Sequence, residues 1–152
     1  MKFCTGLLLL TLAGCGGVDS DFSESTSKTI FTTVNSELHT LHLAVMQMPE
    51  WPAQFTRQCD NGGAIAMTTT MRSDDSIRDL KHTFEDCVID GRIIRGNLDY
   101  TDVVDTDCGG SSGFLFSIVG ELLIAGSDEG QCEIDAVESC GSFGGVTCGY
   151  AL

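Results

Sequence analysis

Ile30, Val34, Leu38, Leu41, Val45 and Met48 recur at steps of three and four residues. That period lays them along one stripe of an α-helix. The spacing predicts a helix from Ser25 to Met48, capped by Ser25 or Thr26 and stopped by Pro49 and Pro52. Met46 and Met48 read as gap-filling core rather than as part of a cofactor site. From Cys59 onward the pattern changes. Turn-forming groups at Asn61-Gly62-Gly63, Ser73-Asp74-Asp75, Asp90-Gly91, Cys108-Gly109-Gly110, Ser127-Asp128-Glu129-Gly130 and Cys140-Gly141 divide the chain. The runs between them suit an antiparallel meander of about six strands.

The sharpest hairpin signal lies between Lys81 and Tyr100, where Asp90-Gly91 fits a type I′ turn. A regular ladder from that turn pairs Asp86 with Arg95, Cys87 with Ile94, Thr83 with Leu98 and His82 with Asp99. Cys87, Ile94, Leu98 and Tyr100 then share the core face. Gly96, mid-strand, signals a bulge or a close approach by the helix. Gly113 to Gly126 is apolar in both alternating sets, as in a strand buried on both faces. Glu121 interrupts it and needs solvent or a partner. The expected fold is α+β: an N-terminal amphipathic helix packed on a five- to six-stranded antiparallel meander, stapled by disulfides.

The first residues change the picture of where the chain works. Phe3 to Ala13 is apolar or neutral after Lys2. It is about half the length of a membrane span and fits the apolar segment of a secretory signal. Leu12-Ala13-Gly14-Cys15 resembles the lipobox of bacterial lipoproteins. The resemblance implies cleavage before Cys15 and lipidation of its sulfur, with Gly16 compatible with the outer membrane. A buried helix is the weaker account, because no cap precedes Cys15 and no apolar period follows it. The expected organisation is a cleaved signal at 1–14, a lipidated flexible tether at 15–25 and one domain at 26–152. Phe84-Glu85-Asp86-Cys87 through Asp90-Gly91 to Gly96 also looks like segments of uncharacterised small Gram-negative envelope lipoproteins. That likeness implies no activity.

The formal net charge is −14, and loss of Lys2 with the signal makes the remainder one unit more negative. Nucleic acid is excluded as a natural partner, because phosphate contacts need a basic surface. A cationic protein, a cationic peptide or a divalent ion is favoured electrostatically; simple solubility is the plainer account. Of eight cysteines, Cys4 leaves with the signal and Cys15 carries lipid. The remaining even set, in an exported chain, reads as three disulfides. The closest pair, Cys132 and Cys140, is too widely spaced for a usual zinc site. Hairpin geometry suggests Cys59–Cys87 across a turn near Ser73 and Cys132–Cys148 across a turn near Cys140. Cys108–Cys140 is left, one choice among 15 connectivities.

Candidate chemistry is sparse. Gly109-Gly110-Ser111-Ser112-Gly113 matches the string of a nucleophile elbow, but that motif needs a strand before it and a helix after it. Here a strand follows, and His39, His42 and His82 all precede the serine. His39 and His42 lie three apart on the helix, close enough to share a metal, with His82 as the one further histidine. No glutamate stands between them as in H-E-x-x-H. Asp102, Asp105 and Asp107, with Asp99, form an acidic run that calcium would suit, although EF-hand spacing fails. A solvated acidic edge, which discourages strand-to-strand aggregation, is the default. The sequence therefore reads as an envelope protein, anchored by lipid and without catalytic machinery. Its expected role is interaction. Inhibition or scavenging of cationic proteins and calcium binding are the alternatives, and no other cofactor is implied.

Overall fold

The computed structural model describes residues 21–71, 78–105, 113–140 and 142–152. One helix, α1 (Glu24–Met46), precedes eight strands: β1 (Gln54–Gln58), β2 (Ala64–Met71), β3 (Arg78–Ile89), β4 (Arg92–Asp105), β5 (Gly113–Gly126), β6 (Gly130–Ser139), β7 (Ser142–Thr147) and β8 (Tyr150–Ala151). They form one antiparallel sheet in chain order. The meander thus has more strands than the expected five or six. The additional ones are short edges: β1 has five residues and β8 two, too few to show a hydrophobic period.

The helix starts earlier than its apolar stripe suggests. Ser23, not Ser25 or Thr26, is the cap, and its hydroxyl accepts from the Thr26 amide at 3.2 Å. Such a bond satisfies one of the amides a helix start leaves unpaired. Ile30, Val34, Leu38, Leu41 and Val45 are buried on one side, with Phe31 beside them. They join inward-facing residues of β2 to β6 in a single core. Upstream of the cap, Phe22 is buried and the Asp21 carboxylate accepts from the Gln131 amide at 3.1 Å.

The sheet curls around this helix. Phe31 packs edge-on to Phe143 of β7, with ring centroids 5.1 Å apart, and Glu37 pairs with Arg57 of β1. The two helix positions lie six residues apart, an axial rise of about 9 Å. In a flat sheet β1 and β7 would be about 29 Å apart. Both can reach one short stretch of helix only if the sheet wraps it. Glycines on the concave side permit the bend. A Cβ on Gly96 would lie 2.3 Å from the Glu121 carbonyl, and one on Gly120 would lie 2.2 Å from that of Asn97. The close approach at Gly96 is therefore by β5, not by the helix.

The β3–β4 hairpin turns at Asp90-Gly91 with φ of 48° and 76°, both positive as a type I′ turn requires. Cys87 pairs with Ile94. Beyond that pair the regular ladder expected from sequence is interrupted. Glu85 and Asp86 together oppose Arg95, a β-bulge with Asp86 at φ 52°. The register consequently shifts by one residue, and Thr83 pairs with Asn97 while His82 pairs with Leu98. Because strand side chains alternate, one extra residue exchanges faces for everything beyond it. Thr83 turns outward and His82 inward, the reverse of the expectation. Asp86 still meets Arg95 in an exposed ion pair.

β5 also departs from expectation. Ile118, Leu122 and Ile124 are buried, but Val119 is 46% and Leu123 52% exposed. The strand is central, yet one of its faces is uncovered. Glu121 lies on that open face.

Candidate functional site

Two groupings stand out in this architecture, one on each side of the sheet. On the open side, strand register aligns exposed residues in rows. Lys81, Asp99, Val119, Asp135 and Val146 are successive cross-strand neighbours. The next row runs Thr83, Asn97, Glu121 and Glu133, and the one after it sets Arg95 beside Leu123 and Gln131. Val137 adds a further exposed apolar side chain. Glu121 and Glu133 face each other directly across β5 and β6. Like charges so placed destabilise a sheet by a few tenths of a kcal/mol, about 0.2–1 at most. Among the described residues, Glu121, Glu133 and Asp135 enter no ion pair. The face thus sets apolar side chains among carboxylates, with Lys81 and Arg95 toward its β3–β4 side.

On the concave side, His42 of α1 meets His82 of β3, Nε2 to Nε2 at 3.0 Å. Tyr100 of β4 packs against both rings, at centroid distances of 4.7 Å from His42 and 6.0 Å from His82. His82 has no solvent exposure. Burial drives its pKa down to about 3, and the adjacent His42 adds to the fall; the Leu98 backbone opposes it in part. Burial likewise lowers His42 to about 4, with His39 contributing. Desolvation dominates because burial strips a charged imidazole of the hydration that would stabilise it. Both rings are neutral at pH 7, so one Nε2–H donates to the other ring's Nε2 lone pair. The Nδ1 of His82 makes no hydrogen bond of good geometry.

The structure therefore brings His42 to His82, not to its helical neighbour His39, which is exposed. Sequence spacing points to the i,i+3 pair; the bulge at Glu85-Asp86 creates the other, and its signal in the sequence is Gly96, which pairs with Phe84 at the edge of the bulge. Cys59 is joined to Cys87, with Cα atoms 5.6 Å apart, and Cys132 to Cys148 at 4.2 Å. Cys140 is disulfide-bonded as well; Cys108 lies outside the described residues. Cys15, residues 109–112 and Asp107 also lie outside them. Asp102 and Asp105 are placed as backbone of β4. Among the described residues no group of three or more His, Cys, Asp or Glu converges as a metal site, and no helix is long and apolar enough to cross a membrane. No family model, curated protein or solved structure matches this chain.

Proposed function

We propose that this chain is a non-enzymatic interaction module, held at the bacterial outer membrane by lipid on Cys15, whose open sheet face binds a basic, amphipathic protein segment. The observation that carries the reading is the uncovered face of β4 to β7. It offers Val119, Leu123, Val137 and Val146 to apolar contact and sets Glu121, Glu133 and Asp135 among them. Exposed apolar side chains grouped on one face mark interaction surfaces. The carboxylates select the sign of the partner and speed its approach, in keeping with a net charge of −14. Inhibition or scavenging of a cationic protein is one use of such a face.

A fluorescent Lys/Leu amphipathic peptide and its Glu/Leu counterpart test the reading by anisotropy. The basic peptide should bind the protein and weaken at least tenfold between low and high salt, because exposed charges are screened. Glu121→Lys with Glu133→Lys should abolish binding. Equal binding of the acidic peptide, or unchanged binding by the charge-reversed protein, refutes the proposal. The anchor is tested separately: Cys15→Ala should abolish labelling by radioactive palmitate, and equal labelling would refute lipidation.

A further inference from the structure

The imidazole pair has a use that the open face does not require. Two nitrogens each about 2.0–2.1 Å from one ion, at an angle near 90°, lie about 3 Å apart. The Nε2 atoms of His42 and His82 are separated by 3.0 Å. A trigonal ion needs about 3.5 Å between nitrogens at the same bond length, a spread of half an ångström that small side-chain rotations supply. The next strand brings a third donor. Met67 of β2 is the cross-strand partner of His82, and its side chain is 1% exposed on the same concave side. We propose that His42, His82 and Met67 form a site for a soft monovalent ion, Cu(I) or Ag(I).

The donor set selects the ion. Thioether sulfur and imidazole nitrogen suit Cu(I), which is stable with two or three ligands. Zinc usually takes four ligands, and among the described residues no third His, Cys, Asp or Glu joins the pair. Neutral imidazoles need no deprotonation to bind. The ring that donates its Nε2–H moves that proton to its own Nδ1 through solvent, both Nε2 lone pairs then face the ion, and no proton is released. His42 is half-buried at the margin of the core and provides the way in. Disulfide formation removes Cys59, Cys87, Cys132, Cys140 and Cys148 as competing thiols.

The test uses the full chain in detergent with Cys4→Ser and Cys15→Ser, so that free thiols do not bind the metal. Under anaerobic conditions it should withdraw one equivalent of Cu(I) from a coloured chelator. His42→Leu should reduce affinity by about a hundredfold and Met67→Leu by about tenfold, whereas His39→Ala should leave it unchanged. Ag(I) should raise the melting temperature of the parent protein, a readout that does not depend on any variant folding. No transfer from the chelator, undiminished binding by His42→Leu, or no thermal shift with Ag(I) would each overturn the assignment.

Discussion

The two faces of β5 are made of similar residues and have different fates. Ile118 and Leu122 are 2% and 0% exposed, whereas Val119 and Leu123, one residue along from each, are 46% and 52% exposed. Hydrophobicity alone does not distinguish them. The difference comes from α1, which fills the concave side of a sheet bent around it and leaves the convex side bare. On the concave side even two histidines are kept neutral by burial. On the convex side carboxylates remain in water beside valine and leucine. One surface is organised by the loss of water, the other by its presence.

Acid should break this contrast most strongly. The folded pKa values of His42 and His82 lie at about 4 and about 3, below the ordinary histidine value near 6.5. As pH falls below 6.5, the unfolded chain takes up protons that the folded pair refuses. Stability contributed by the pair is therefore complete above pH 6.5 and is lost as pH falls toward 4 and then 3. By pH 4.5 the loss should be on the order of 3–5 kcal/mol. Urea unfolding at pH 7 and 4.5 measures it, and His42→Phe with His82→Leu should flatten the dependence within that window.

Substitution within β5 sharpens the comparison directly. Leu122→Ala should destabilise by about 3 kcal/mol, through lost burial and the cavity left behind. Leu123→Ala should stay within about 0.5 kcal/mol, as exposed positions do. Equal effects in urea titrations would mean that the convex face is covered in solution. Gly91→Val should cost about 1–2 kcal/mol. A Cβ there meets only the Ser127 side chain, at 3.7 Å or beyond, so the strain comes from the positive φ of 76° and not from crowding. The smallest effect belongs to the bulge. Arg95→Gln removes the exposed ion pair to Asp86 and should cost a few tenths of a kcal/mol. Replacing Asp86 instead would confuse that pair with its left-handed backbone.

The chain alone determined what neighbours in sequence can decide. The stripe from Ile30 to Val45 specified one helix, because side chains three and four residues apart meet on a helix whatever surrounds it. Asp90-Gly91 specified the tight hairpin, because few residue pairs accept two positive φ values in succession. Beyond these, the deciding interactions connect distant segments. The bulge at Glu85-Asp86 exists within a ladder shared by β2, β3 and β4, and it alone turns His82 inward to meet His42 from a helix forty residues earlier. The short edges β1 and β8 carry too few residues for a period and are strands only because a longer neighbour pairs with them. The openness of one β5 face depends on the described residues forming one helix, and on the sheet curling around it. Alternation of side chains is a local property of a strand; which side meets water is settled by what packs against it.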